Sequence, residues 1–427
     1  MKNKEKVYFK TFGCRTNVFD TQIMMNKLKD FDIAQSENDA NIIVVNSCTV
    51  TNSADSTARS YINSIKKLPL KPRIVFTGCG VWTKGESLFK ENKIDALFGH
   101  SEKEKINILL KNENRFFQAG DLKHIDETII EKMIGKSRAF VKIQEGCDFR
   151  CSYCIIPYVR GDARSYDESY ILNQITKLAS NGFGEFILTG TNVGSYGKEL
   201  VKQDSKAGTK KDKLSILIKK ISQIRGVRRI RLGSVEPVQI TDEFKEILDE
   251  PWMGKHLHIA LQHTSKDMLN IMNRRNKVEK DLELFEFLAS KGYALGTDYI
   301  VGHPGETESI WKDAIKNIKK FPLTHIHSFT YSKRDGTPSS SMPNEINGNI
   351  AKQRLKELNH IITDKNKIFR KKQNNLDVLI ESLKDDTYIG YDQFFNPIEI
   401  SSKTDLIGDW IKVENYEVKD KVNVSKF

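Results

Sequence analysis

The sequence predicts an α/β protein in three parts: an N-terminal parallel-sheet α/β domain, a central partial (β/α)6 barrel and a small C-terminal β-barrel. Three observations predict it. Residues 7 to about 100 repeat a short apolar strand, a turn and an amphipathic helix. Residues 138 to 332 hold six more strand candidates with helical segments between them, and residues 373 to 427 turn to short β-like runs. Alternating strands and helices of this length imply a parallel sheet covered by helices. At 427 residues the chain is long enough for two or three such cores.

In the first part, "VYFKTFGC" precedes "NVFDTQIMMNKLKDF", where Phe19, Ile23, Met24, Leu28 and Phe31 keep close to a 3.6-residue period. "NIIVVNSC" precedes "SADSTARSYINSIKKL", with Ala58, Tyr61, Ile65 and Leu68 on one face, and "RIVFTGC" comes third. Each of these strands ends in a solitary cysteine: Cys14, Cys48 and Cys79. Ligands of open parallel sheets sit in the crevice outside the carboxyl ends of the strands, so the three are expected to meet in one site. The alternative is three small apolar residues buried at strand ends, as free cysteine often is. Residues 101 to 136 read as a closing helix and a linker, which places the first domain at 1–120 and the linker at 121–136.

The second series runs "RAFVKIQ", "GEFILTG", "VRRIRLGSV", "HLHIALQ", "YALGTDYIVG" and "HIHSFTYS". Six strand–helix units make a partial barrel whose chemistry lies at the C-terminal strand ends. Just after the first strand, "EGCDFRCSYCIIPYVRG" packs Cys147, Cys151 and Cys154 into eight positions. Residues 197 to 213, "GKELVKQDSKAGTKKDK", read as a polar, lysine-rich mobile loop. A basic helix at 352–372, with eight Lys and Arg against Glu357 and Asp364, closes a barrel domain of 137–372. The tail at 373–427 fits a small barrel of oligonucleotide-binding type.

The formal net charge of +12, from 68 Lys plus Arg against 56 Asp plus Glu, suits a polyanionic partner such as RNA. No stretch approaches the roughly 18 apolar residues of a membrane span, and "MKNKEKVYFKTFG" has no apolar core of a signal peptide. The expected compartment is the cytoplasm, where thiols stay reduced. The six cysteines are therefore read as ligands or nucleophiles rather than as disulfides.

A structural zinc site would need a fourth protein ligand. No second knuckle adjoins Cys147, Cys151 and Cys154, so a histidine such as His256 or His258 would have to be recruited. An iron-sulfur cubane is normally anchored by four cysteines, one per iron. Three thiolates leave one iron open for chemistry, which explains why six cysteines fall into two sets of three.

"CDFRCSYC" resembles the signature of the radical S-adenosylmethionine (SAM) superfamily, with Tyr153 in its aromatic slot. Over nearly its full length the chain resembles the methylthiotransferases within it: the dispersed cysteines, the barrel with "RCSYCIIPYVRG", the "VGHPGET" turn and a C-terminal barrel of the TRAM type come in that order. "TFGCRTN" and "NSCTVTNSAD" look most like the branch acting on N6-threonylcarbamoyladenosine beside the tRNA anticodon. Other branches act on isopentenyladenosine in tRNA or on a ribosomal-protein aspartate.

The resemblance implies insertion of a methylthio group at C2 of the adenine, with two [4Fe-4S] clusters and SAM as both methyl donor and radical source. It implies tRNA as partner, an external electron donor, and neither membrane nor DNA. Cys14, Cys48 and Cys79 would hold the auxiliary cluster, and Cys147, Cys151 and Cys154 the radical-generating one. Thr189 and Asn192 at the second strand end are expected near the SAM amino group, and Ser234 and Glu236 at the third near its ribose or methionine part. Arg160 is expected to pair with the SAM carboxylate. Gln262, Asp298 and the "VGHPG" backbone are expected to line the pocket.

Two features depart from the family pattern. His263 and Thr264 stand where relatives commonly show Ser-Gly, and the tail from 373 to 427 has six Lys against eleven Asp and Glu. Phosphate neutralisation normally dominates RNA affinity, so the electrostatic load is expected on the basic helix and the lysine-rich loop. Tyr388, Tyr391, Phe394 and Phe395 in the tail are read either as stacking surfaces for bases or as core.

Overall fold

The computed structural model describes residues 4–198 and 212–426. Most of the lysine-rich segment at 197–213 lies outside the described residues.

The first sheet contains β1 (Lys6–Thr11), β2 (Asp32–Ile33), β3 (Ile42–Ser47), β4 (Arg73–Gly78), β5 (Ala96–Phe98) and β6 (Phe116–Gln118). Its order is β2-β1-β3-β4-β5-β6, with every pairing parallel. All six residues of β3 are buried, as the unbroken "IIVV" run requires of a strand covered on both faces. Ile43, Val45 and Phe76 pack with Ile62 and Ile65 on one side; Ile42, Val44 and Val75 pack with Met24 and Phe98 on the other. The strands β2, β5 and β6 were not among the sequence candidates. Two or three residues are too short for a period to show, and β6 falls in the stretch read as helix and linker.

The barrel comprises β7 (Ala139–Lys142), the small antiparallel pair β8 (Gln144–Glu145) and β9 (Arg164–Ser165), then β10 (Glu185–Thr189), β11 (Arg229–Leu232), β12 (His256–His258), β13 (Ala294–Val301) and β14 (His325–Thr330). Parallel sheets β11-β10-β7 and β12-β13-β14 are joined by single parallel bridges, Ile230 to Met253 and Val235 to Ile259. The six expected strands are present, and β7 and β14 do not pair, so the barrel is partial. The helix Arg15–Lys27 packs against β7, and its Phe19 and Ile23 belong to the apolar core of the barrel. This helix therefore contributes to the barrel core, while the two faces of the first sheet keep apolar clusters of their own.

The last sheet, β15 (Leu376–Lys384), β16 (Thr387–Tyr391), β17 (Pro397–Ser401), β18 (Trp410–Val413), β19 (Glu417–Val418) and β20 (Asn423–Lys426), is curled in the order β18-β15-β16-β17-β20-β19. Tyr388 and Phe394 are in its core. Tyr391 and Phe395 stack on each other at 5.1 Å, and Phe395 also stacks on His256 of the barrel at 5.2 Å. These four aromatics thus pack internally rather than present faces to nucleic-acid bases. The pairs Arg138–Glu381 and Arg229–Asp377 fasten this sheet to the barrel, at 2.5 and 2.7 Å. The basic helix spans Gly348–Lys371. Two of its cations face inward: Arg354 pairs with Glu306 at 2.7 Å, and Arg370 donates to Asn423 Oδ1 at 3.0 Å. Among the described residues no helix is long and apolar enough to cross a membrane.

Candidate active site: two cysteine sets in one joint

The segment holding Cys147, Cys151 and Cys154 leaves β8 and is tied at several points. Cys147 N donates to Gly161 O at 3.0 Å, Ser152 N to Met272 O at 3.0 Å, and Ser152 Oγ to Ile271 O at 3.0 Å. Donors surround the sulfurs: Phe149 N lies 3.4 Å from Cys147 Sγ, Asn192 Nδ2 3.8 Å from the same atom, and Arg274 Nη1 3.5 Å from Cys151 Sγ. Burial pushes the Cys154 thiol up to about 12. A metal that takes the thiolates must therefore displace their protons.

The other expected residues fall around this set unevenly. Asn192 N donates to Gln144 Oε1 at 2.8 Å, which fixes its backbone, while its buried Oδ1 has no partner. A buried acceptor without a donor is costly unless a ligand satisfies it. The Glu236 carboxylate is held by Arg274, whose Nη1 donates to Oε1 at 2.9 Å and whose Nη2 donates to Oε2. Arg274 thus connects Glu236 to Cys151. The sequence reading missed it, because "NRRN" lies outside any strand end or period. Thr189 ends β10 in register with Lys142, and Ser234 precedes the Val235 bridge to Ile259. Gln262 is held at φ +66°, and its N donates to Asp298 O at 2.9 Å. That left-handed backbone is strained for glutamine, as often found at functional sites. Tyr153 points its ring at His303, 6.3 Å away edge to face.

The second set lies at neighbouring strand ends. Cys14 caps the helix Arg15–Lys27, Cys48 follows β3 and Cys79 follows β4. The strands β1, β3 and β4 are adjacent, and β1 and β3 flank the point where the strand order reverses, the usual ligand crevice of such sheets. Gly13, at φ +106°, lies so close that a Cβ would sit 2.6 Å from Cys48 Cβ and 3.2 Å from its Sγ. Asn17 Nδ2 donates to Phe12 O at 2.9 Å and Ser47 O at 3.0 Å, holding the two cysteine loops together. Burial raises the Cys48 thiol to about 12.

The two sets are linked through a small apolar contact and through Arg160. Cys79 packs with Ile155 and Val159, and Ile155 immediately follows Cys154. Arg160 Nε lies 3.2 Å from Cys79 Sγ. Its other donors go to Asn17 Oδ1 at 2.6 Å, Asp20 Oδ2 at 2.9 Å and the Glu145 carboxylate. The expected pairing of Arg160 with the SAM carboxylate does not fit this geometry: the guanidinium serves the other cysteine set. Lys142 joins the same buried group, 2.6 Å from Asp20 and 3.1 Å from Glu145, and Lys103 lies 3.8 Å from Asp20. Burial alone would raise the Asp20 carboxyl, but Lys142, Arg160 and Lys103 overcome it and hold Asp20 ionised. His100 beside it is driven neutral by burial and by the charge of Arg160.

Among the described residues, two groups of three metal-type side chains bring their ligand atoms within 4.8 Å of one another, and neither contains a cysteine. Thiolates bound tetrahedrally to one zinc at about 2.3 Å lie about 3.8 Å apart. Both cysteine sets are spread more widely than that, as a multi-iron cluster with one thiolate per iron requires.

Residues 6–99 match the uncharacterized protein family UPF0004, and residues 141–318 match the radical SAM superfamily. A Helicobacter pylori (strain J99) protein provisionally named a methylthiotransferase is 51% identical over 99% of this chain and 100% of its own length. The threonylcarbamoyladenosine tRNA methylthiotransferase MtaB of Aquifex aeolicus is 31% identical over 86% of this chain and 90% of its own. The chain belongs to the radical SAM methylthiotransferases. The superfamily implies SAM and a [4Fe-4S] cluster, and members named as tRNA-2-methylthio-N(6)-dimethylallyladenosine synthases also match, one from Halalkalibacterium halodurans at 29% identity over 97% of this chain and 80% of its own. This methylthiotransferase also shares its fold with the radical SAM methyltransferase TsrM of Kitasatospora setae, at a TM-score of 0.55 and 13% identity over 79% of this chain and 74% of that one.

Proposed function

We propose that the protein is a cytoplasmic tRNA methylthiotransferase that adds a methylthio group to C2 of N6-threonylcarbamoyladenosine next to the anticodon. It would carry two [4Fe-4S] clusters, one on Cys147, Cys151 and Cys154 and one on Cys14, Cys48 and Cys79, and draw electrons from an external donor. The observation that carries this reading is the joint in which Cys79 packs against Ile155, bringing both cysteine sets to one place. SAM and the two clusters would supply the methyl group, the sulfur and the 5′-deoxyadenosyl radical that removes hydrogen from an unactivated aromatic carbon, a bond that acid-base catalysis handles poorly.

The chain's own residues bind and orient. Asn192 offers its unpartnered Oδ1 to a donor such as the SAM amino group. Arg274 fixes the Glu236 carboxylate beside Cys151, while Thr189, Ser234 and Gln262 lie at strand ends and Tyr153 within the cysteine segment. Burial raises the Cys79 thiol, and the positive charge of Arg160, 3.2 Å from its sulfur, partly offsets that.

Gly13→Ala tests the auxiliary site. The added Cβ collides with Cys48, so iron is expected to fall from about eight to about four atoms per chain while SAM cleavage persists. Iron and acid-labile sulfide assays check it; unchanged iron would separate Gly13 from cluster assembly.

The threonylcarbamoyl substrate is supported by "TFGCRTN" and by the MtaB relatives; the dimethylallyl reading is kept because synthases of that name also match. Anaerobically reconstituted protein, SAM and reductant are incubated with tRNA carrying either nucleoside, and the digests are analysed by mass spectrometry. A methylthio gain on threonylcarbamoyladenosine alone is expected. A gain on the other alone overturns the substrate, and no gain on either despite SAM cleavage points to the ribosomal-protein aspartate.

A further inference from the structure

The inner side of the barrel carries a second cluster of ligand-type side chains, with no cysteine in it. Along β12, β13 and β14, Leu257, Leu295 and Tyr299 join the apolar layer, while the alternating positions are His256, His258, Gly296, Asp298, His325 and His327. The register aligns them. His258 pairs with Gly296, Gly296 with His325, and Asp298 with His327.

Three of these converge. His258 Nε2 lies 3.1 Å from Asp298 Oδ1, His327 Nδ1 lies 3.4 Å from the same oxygen, and the three ligand atoms are all within 4.8 Å of one another. His258 Nε2 and His327 Nδ1 both face the Asp298 carboxylate, and behind them His256 Nε2 is buried without a hydrogen-bond partner. Such a nitrogen is costly to leave unsatisfied, and it lies beside a carboxylate that two imidazoles approach from two sides. Gly296 makes the room: a Cβ there would meet His258 Nδ1 at 2.9 Å and His256 Nε2 at 3.1 Å. His327, with its side chain 63% exposed, leaves the group open to solvent on one side.

We propose that His258 Nε2, Asp298 Oδ1 and His327 Nδ1 bind a divalent first-row transition-metal ion, separately from the two cysteine sets. Two imidazoles and one carboxylate are the donor set of catalytic zinc sites and of non-haem iron, and three protein ligands leave a position for water or another oxygen ligand. The carboxylate opposes the ion's charge, and the neutral imidazoles of His256 and His325 lie behind His258 without adding a competing cation. Ring centroids are 6.5 Å apart for His256 and His258, and 4.9 Å for His256 and His325.

The test uses the anaerobically reconstituted full chain, with its cysteine sites filled by iron, and zinc as the probe. After equilibration with Zn2+ and gel filtration, elemental analysis is expected to find one zinc per chain in the unaltered protein. Asp298→Asn and His327→Ala are each expected to lose that equivalent and, in titration calorimetry, to weaken zinc binding at least 100-fold. Iron content, sulfide content and melting temperature identify variants that have kept their fold, and the exposed His327 is the safeguard against unfolding. Absence of zinc from the unaltered chain, or equal zinc in His327→Ala, would overturn the proposal.

Discussion

Cys151→Ala is expected to abolish reductive SAM cleavage, whereas Cys48→Ala retains cleavage and forms no methylthio product. The asymmetry follows from position. Cys151 is the middle member of the set after β8, with Arg274 at 3.5 Å linking it to Glu236. Two thiolates cannot hold the cubane in the orientation that three do, so the site that binds and cleaves SAM is lost. Cys48 belongs to the strand-end set on the other side of Arg160, and its loss leaves all of the barrel contacts in place. The readouts are 5′-deoxyadenosine and methylthio nucleoside from the same anaerobic reaction. Wild-type product from Cys48→Ala would end the two-cluster reading; persistent cleavage by Cys151→Ala would end the assignment of the SAM site.

Arg160→Met is expected to cost about 3–5 kcal/mol of folding stability, because removing one partner leaves buried charges uncompensated. The guanidinium is 2% exposed and lies between Asp20 and Glu145, which are 4% and 1% exposed. Lys142 remains, but it is already engaged with both carboxylates. Lys90→Met is the control: Lys90 pairs with Glu86 at the surface, where such pairs are worth about 0–1 kcal/mol. Denaturant midpoints measured anaerobically on both variants decide the matter. Equal losses would mean that water reaches the Arg160 group and that the network is not the closed one described above.

The strand-end cysteines were legible because a parallel sheet converts a sequence position, the residue after an apolar run, into a place in space. The six barrel strands were legible for the same reason. The side chain of Arg160 is taken up mainly by Asn17, Asp20 and Cys79, all more than eighty positions away, so nothing local in the sequence signals it. Arg274 was missed since it lies in a turn, where charge pattern says nothing about direction. The tail aromatics illustrate a different limit: Tyr388 and Phe394 are core residues of their own sheet, yet Phe395 rests on His256, a partner supplied by another sheet. Apolar pattern tells that a ring is covered and leaves open what covers it.

The buried charges between the helix Arg15–Lys27 and the barrel act as an address rather than as glue. An apolar seam tolerates sliding by a residue or two at small cost, but Asp20 displaced from Arg160 and Lys142 would face hydrocarbon with no counter-charge. Only one docking pose therefore keeps every carboxylate paired. That pose sets Cys79 against Ile155, so the spacing between the two cysteine sets is written into the electrostatics of the seam, before any cluster is built.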